Sequence, residues 1–258
     1  MIAAIIVGGV GYGLISGMLG LGGGIILMPL LLILLSGEVA PANLVHTAVG
    51  TSIAIMAISS LINVTQHMQL NTIDMKIIKK VLPGSIFGVL VGTTLGLLIS
   101  AGHIKLLMGL LLVVLALSMF MPVSIKRQEG TTNKLKLFFV GFVVGAPSAL
   151  LGIGGGSIMG PVLNYFGFDI KKIVGTIAFN TFVTASIALV SLIFIEVIHL
   201  HNLVGVAQAV DWKVVLIIVP LGLVGVYLGG FLMKKMPGYL IRYIFVGVLL
   251  MSGILMLY

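Results

Sequence analysis

Two apolar runs of this chain are broken in the same way, by Gly20-Leu21-Gly22-Gly23-Gly24 and by Gly152-Ile153-Gly154-Gly155-Gly156, and each break has a proline five residues beyond its last glycine, Pro29 and Pro161. Three glycines in a row are poor helix, each costing about 1 kcal/mol relative to alanine. The runs that they interrupt belong to a membrane protein: 60% of the 258 residues are hydrophobic and 8% are charged, against roughly 25% charged in a soluble domain. In hydrocarbon an unpaired backbone group costs several kcal/mol, so irregular backbone is tolerated only where protein buries it or where it lines a polar cavity. The triplets therefore constrain the fold and are the first candidates for a functional site.

The rest of the composition excludes more than it proposes. The net charge of +8 does not point to nucleic acid, because the basic residues sit in short loops between apolar runs, where they act as topology signals. With no cysteine, disulfides, thiolate catalysis and Cys-ligated metal are excluded. The opening Met-Ile-Ala-Ala-Ile-Ile-Val has no basic region and reads as the first membrane helix. Neither triplet is a nucleotide loop: Gly20-x-Gly22 continues to Ile25 without a strand before it, and no Gly-Lys-Ser/Thr follows. No nucleophile, base and orienting group occur together, so the chain reads as a protein without enzymatic chemistry, cofactor or metal. His199 and His201, two apart, lack helical ligand spacing.

The two breaks are copies within a duplication. At a shift of 132 residues Gly9 meets Gly141, Gly13 meets Gly145, Ser16 meets Ser148, and the triplets and prolines superimpose. Val49-Gly50-Thr51 then meets Val174-Gly175-Thr176, and at a shift of 137 Asp74-Met75-Lys76 meets Asp211-Trp212-Lys213. Pro83, Gly88 and Gly92 meet Pro220, Gly225 and Gly229 in the same register. The repeats span 1–121 and 135–258, joined by a polar linker over 122–134 that carries Lys126, Arg127, Glu129 and Lys134. The glycines at four-residue spacing (Gly9 and Gly13, Gly88 and Gly92, Gly225 and Gly229) read as helix-packing positions.

Apolar length predicts five helices per repeat: 3–19, 25–36, 43–65, 77–99 and 104–121, then 136–151, 157–167, 173–198, 213–232 and 239–257. The helix after each triplet has near 12 residues, about 18 Å, too short for a core of roughly 30 Å. Each break is then either a kink in one crossing helix, giving parallel repeats, or the tip of a re-entrant hairpin, giving inverted ones. Charge arbitrates. With kinks, the 14 Lys and Arg divide 8 to 6 between the two sides; with hairpins they divide 12 to 2, only Lys105 and Lys213 falling opposite the rest. The positive-inside rule favours the second. The fold expected is all-α and polytopic, two inverted repeats of five helices, the first two of each forming a Gly-tipped re-entrant hairpin. The linker is then cytoplasmic and both termini are outside.

In that arrangement the short helices begin inside the membrane. Helix N-termini carry unpaired N–H groups and partial positive charge and attract anions, and glycine lets an anion approach the backbone. Two such N-termini at the interface of inverted repeats have the design of secondary-transporter sites. The expected substrate contacts are Gly22, Gly23 and Gly24 with Gly154, Gly155 and Gly156, and Ser157, whose counterpart in the first repeat is Ile25. Hydroxyls and an amide on the following helices, Thr51, Ser52, Thr176 and Asn180, join the set because they bind an oxyanion without charge. His46 and Glu196 are candidates for coupling to protons, Glu196 as the one acid inside an apolar run. Trp212 and Tyr258 read as interfacial anchors.

The duplicated Gly-x-Gly-Gly-Gly-x4-Pro, followed by Gly-Thr-Ser and by Asp-x-Lys-x6-Pro-x4-Gly-x3-Gly, resembles the TauE/SafE sulfite exporter family over nearly the whole chain. The resemblance implies movement of small sulfur-containing or organic anions, sulfite and sulfonates among them, across the bacterial inner membrane by a secondary mechanism. With no ATPase motif in the chain, the expected drive is an ion gradient, with a proton or Na+ as the candidate coupling ion, or the substrate's own gradient. The bilayer and a small anion are then the partners, and nucleic acid is not. Pro147, Ala149 and Ile177 stand where the first repeat has Ile15, Gly17 and Ser52, so the half-sites differ chemically. A passive anion channel and a membrane scaffold without transport are the other readings.

Overall fold

The computed structural model describes residues 2–20, 22–120, 133–165, 170–198 and 209–257. Most of the linker, together with His199, His201 and Tyr258, lies outside the described residues. Within them are ten α-helices: α1 (Ile2–Leu19), α2 (Gly24–Leu35), α3 (Pro41–Gln69), α4 (Met75–Leu98), α5 (Ala101–Phe120), α6 (Lys134–Leu151), α7 (Gly156–Tyr165), α8 (Ile170–Val197), α9 (Trp212–Lys235) and α10 (Gly238–Leu257). Seven of these, α3, α4, α5, α6, α8, α9 and α10, are long and apolar enough to cross a bilayer. The α2 helix has 12 residues and α7 has 10. Helix α3 runs to Gln69, four residues beyond its apolar stretch, because the polar residues of its last turns have protein partners, Gln66 the Tyr227 carbonyl of α9 and His67 the Thr72 hydroxyl.

Local chemistry sets the boundaries. The Asp74 and Asp211 carboxylates accept the backbone N–H groups of the first turns of α4 and α9, and Asn133 does the same for α6, the usual means of satisfying the free donors at a helix start. Pro41 stands at the first turn of α3, where its missing N–H is of no consequence.

Packing follows the duplication, but the repeats exchange partners. Helix α1 lies on α9 of the other repeat, and α6 lies on α4. These contacts are made backbone to backbone: a Cβ on Gly13 or Gly17 of α1 would overlap the carbonyls of Gly222 or Val226, and one on Gly84 or Gly92 of α4 would overlap those of Phe138 or Ala146. The order of contacts, Gly13 by Gly222 then Gly17 by Val226, and Gly84 by Phe138 then Gly92 by Ala146, makes both pairs parallel. The α5 and α10 helices pair antiparallel, with Gly109 beside Gly253 and the Arg242 guanidinium donating to the Met119 carbonyl.

At the centre, α3 packs on α8. Gly175, near the start of α8, abuts Thr72, just past the end of α3, and Gly50, near the start of α3, abuts Ala209, past the end of α8. The two are therefore antiparallel. In the first repeat α2 turns back along α1, since a Cβ on Gly8 would lie 2.8 Å from the Leu30 side chain. A continuous helix would put those residues about 33 Å apart at 1.5 Å per residue.

Candidate functional site

The two tips are built from left-handed backbone. Gly20, Gly22, Gly23, Gly152 and Gly154 all have φ between 64° and 79°, which side chains with a Cβ rarely adopt. Gly152 ends α6 at φ 64°, its N–H returning to the Ser148 carbonyl. Gly23 is the N-cap of α2 at φ 79°, with no side chain capping the helix. The N–H groups of Gly24 and Ile25 precede the first bond of α2, which Ile26 makes to the Gly23 carbonyl at 3.0 Å.

The tips touch. A Cβ on Gly24 would lie 2.6 Å from the Gly152 carbonyl oxygen and from Ile153 Cα. Each tip also presses on the central helix of the other repeat, Gly20 on Val174 and Gly152 on Val49. Ser52 of α3 donates to the Gly152 carbonyl at 2.7 Å, so one repeat helps to hold the other's tip.

Helix α8 meets both tips through adjacent residues, with the Asn180 amide at the second tip and the Thr181 methyl at the first. A Cβ on Gly155 would lie 2.7 Å from Asn180 Nδ2 and 3.5 Å from Thr184 Oγ1, and one on Gly22 would overlap the Thr181 side chain. Asn180 and Thr181 are fully buried. Asn180 Nδ2 and Oδ1 and Thr181 Oγ1 have no hydrogen-bond partner. A buried amide without partners costs about 1–3 kcal/mol. Of these atoms Asn180 Nδ2 and the Thr181 hydroxyl are neutral donors of the kind a small oxyanion would satisfy, whereas Asn180 Oδ1 accepts and calls for a donor. The counterparts of Asn180 and Thr181 in the first repeat are Ile55 and Met56, both apolar.

The first tip is filled differently. A Cβ on Gly23 would overlap the ring of Tyr12. The Tyr12 hydroxyl donates to Ser59 Oγ at 2.8 Å. Val144 stands where Tyr12 does in the second repeat, leaving room there for the Asn180 amide.

Gly24 forms the tip-to-tip contact. Gly154 is in the turn and Gly156 opens α7. The Ser157 hydroxyl donates back into its own tip, to the Ile153 carbonyl at 3.1 Å. Thr51 Oγ1 accepts from Asp211 N–H at 2.9 Å, and Thr176 Oγ1 accepts from Asp74 N–H at 3.1 Å. These two hydroxyls thus tie α3 and α8 to the loops that start α9 and α4. His46 Nε2 is 3.0 Å from the Ile99 carbonyl. It also borders, with Thr93, Ala149 and Ala209, a cavity of about 20 Å³, room for one water. Glu196 sits in the last turn of α8, about 24 Å along the helix from Asn180 at 1.5 Å per residue.

Two features escape a reading of the sequence. Thr181 is one; its hydroxyl looks like any other in an apolar helix. The second is a buried polar line on α3, Ser59, Asn63 and His67, at four-residue spacing in an otherwise apolar run. Asn63 donates to the Ser16 carbonyl at 3.0 Å, and His67 Nδ1 is 2.9 Å from Thr72 Oγ1. Their counterparts in the second repeat are Thr184, Ala188 and Leu192, so the line exists once. The spacing itself is the signal that could have found it. No group of residues suited to a metal ion occurs among the described residues.

A probable membrane transporter protein of Haemophilus influenzae is 31% identical over 65% of this chain and 64% of its own length, so the match spans less than two thirds of that relative. One of Methanocaldococcus jannaschii is 27% identical over 67% of this chain and 66% of its own. The Bacillus subtilis probable membrane transporter protein YunE is 26% identical over 95% and 93%. No solved structure matches. Residues 5–256 match the family described as sulfite exporter TauE/SafE. That match over nearly the whole chain makes it a member of the sulfite exporter TauE/SafE family of membrane transporters.

Proposed function

We propose that this protein is a secondary transporter of a small sulfur-containing or organic anion of the sulfite or sulfonate kind, bound where the two glycine tips meet. The observation that carries the reading is the pair of buried, unpartnered donors on α8, Asn180 Nδ2 against Gly155 and the hydroxyl of Thr181, whose methyl meets Gly22. Such donors are costly in an empty site and are satisfied by an oxyanion. Backbone N–H groups at the starts of α2 and α7 supply the remaining attraction. Among the described residues, no Lys or Arg is one of those that meet the tips, so the anion is held by dipoles and can be released again.

The antiparallel α3 and α8 support inverted repeats, because kinked crossing helices would make them parallel. In that topology the linker is cytoplasmic, both termini lie outside, and the membrane is the bacterial inner membrane. Alternating access then cannot be the rocking of one sequence half against the other. Helix α1 is locked to α9 and α6 to α4 through glycine contacts, so the bodies that move combine elements of both repeats. A coupling proton or Na+ fits the same scheme, with His46 beside its water-sized cavity better placed than Glu196 at the helix end.

The test is a thermal-shift screen of purified protein against sulfite, sulfate, thiosulfate, sulfonates and small carboxylates, since a ligand that binds the folded protein stabilises it by an amount that grows with the logarithm of its concentration over Kd. One of these anions is expected to stabilise the protein, and Gly155→Leu, whose side chain would displace Asn180, is expected to abolish the effect while the fold persists. Stabilisation unchanged in Gly155→Leu would move the site elsewhere.

A further inference from the structure

The parallel pair α4 and α6 is closed along most of its length by glycine contacts, but the helices leave a cleft of about 760 Å³ at their N-terminal ends, lined by Lys76, Lys79, Lys80 and Pro83 of α4 and by Lys134, Leu135 and Phe138 of α6. We propose that this cleft binds an anionic phospholipid, its phosphate among the lysines and its acyl chain along Pro83 and Phe138.

Four lysines converge on the cleft and no acid lines it among the described residues. The nearest acid along α4, Asp74, has its carboxylate engaged with the backbone N–H groups of Lys76 and Ile77. Lys76, Lys79 and Lys80 are spaced to share one helix face. Both helices begin here in the same direction, so two positive dipole ends add to the four ammonium groups. Below the charges the lining is apolar, and it continues along α4 and α6 into exposed Phe87, Phe139 and Val143. A water-soluble anion would use only the upper half of such a cleft. A headgroup with an attached chain uses both, as do basic pockets between membrane helices generally.

The duplication supplies an internal comparison. The pair α1 and α9 reproduces this architecture from the equivalent residues and keeps the proline, Pro220 for Pro83. There Lys76 is matched by Lys213, but Lys79 and Lys80 are matched by Leu216 and Ile217, and Lys134, Leu135 and Phe138 by Ile2, Ala3 and Ile6. Packing two helices in this manner therefore does not require the charge. Three of the four lysines belong to one copy only, on the face that carries the linker.

A tryptophan reporter tests the proposal in the full chain. Phe138→Trp, made with Trp212→Phe to remove the single native tryptophan, is reconstituted in vesicles of phosphatidylcholine with small amounts of brominated phosphatidylglycerol or brominated phosphatidylcholine. Brominated phosphatidylglycerol is expected to quench the introduced indole at about a tenfold lower mole fraction, the preference given by one to two net lysine contacts. Lys79→Gln with Lys80→Gln and Lys134→Gln is expected to remove the preference. Lys234→Gln with Lys235→Gln, basic positions in the last turn of α9 and outside the cleft, is expected to retain it. Equal quenching by both lipids, or a preference that survives the triple change, overturns the proposal. Loss of the preference in millimolar inorganic phosphate also overturns it, since the cleft would then be a site for a soluble anion. Native mass spectrometry of the unlabelled protein gives the same comparison without the tryptophan: retention of phosphatidylglycerol by the wild type and not by the triple variant is expected, and equal retention is the contrary result.

Discussion

At the scale of the residue, Asn180 separates a structural account from a functional one. Its amide is buried against Gly155 with neither polar atom partnered, an arrangement that helix packing alone would not select. Asn180→Leu, close in shape and free of the desolvated amide, is expected to raise stability without ligand by about 1–3 kcal/mol, read as the shift in thermal unfolding in detergent. A loss of stability would mean that the amide has a structural partner. Other residues are legible by type and not by task. Thr51 and Thr176 stand out as repeated hydroxyls, and Asp74 and Asp211 as repeated acids. Sequence cannot show that each hydroxyl bonds the backbone of the acid at the far end of the other repeat's central helix, because the contact spans 102 residues in one case and 160 in the other.

At the scale of the element, glycine has two distinct uses here, and they respond oppositely to substitution. Where two helices touch backbone to backbone, as Gly92 does with Ala146, Gly92→Val is expected to separate α4 from α6 and cost about 1–3 kcal/mol or more. Gly247, inside α10, has nothing within 4 Å of the point where a Cβ would stand. There Gly247→Ala is expected to stabilise the helix by about 0.5–1 kcal/mol. Comparing the two melting temperatures checks both values, and a stable Gly92→Val would disprove the tight pairing. Element order and length are legible in the sequence because apolar runs of membrane helices are long and their breaks are marked by Pro, Gly and Asp. The partners of those elements are not. Four-residue glycine spacing says that α1 packs closely on something, and nothing in α1 says that the something is α9 rather than a helix of its own repeat.

At the scale of the molecule, the 12-to-2 division of basic residues and the antiparallel α3 and α8 point to one topology from independent sources, charge and packing. The chain has no cysteine, so single labels are unambiguous. Gly102→Cys, at the open start of α5, is expected to react with a membrane-impermeant maleimide in intact cells, and Glu129→Cys in the linker only after lysis. The reverse pattern would invert the protein and reassign its two faces. The exchange of partners between repeats also gives the central site its character: one tip is filled by Tyr12, the other is faced by Asn180, and the adjacent Thr181 joins the two. Sequence symmetry suggests two half-sites that differ at Ser157; in the folded chain the larger asymmetry is Tyr12 against Val144 and Asn180 against Ile55. Those positions are neighbours only after folding.

The claim on which the account rests is that an anion crosses through the meeting point of the tips. It is tested most directly by counterflow in proteoliposomes, with labelled sulfite or the sulfonate that stabilises the protein outside and the unlabelled anion inside. Saturable counterflow is expected for the wild type, with at least a tenfold loss in Asn180→Leu and Gly155→Leu, the removal of about 1.4 kcal/mol or more of binding to the site. Full counterflow in both variants, each folded and reconstituted at wild-type levels, would contradict it.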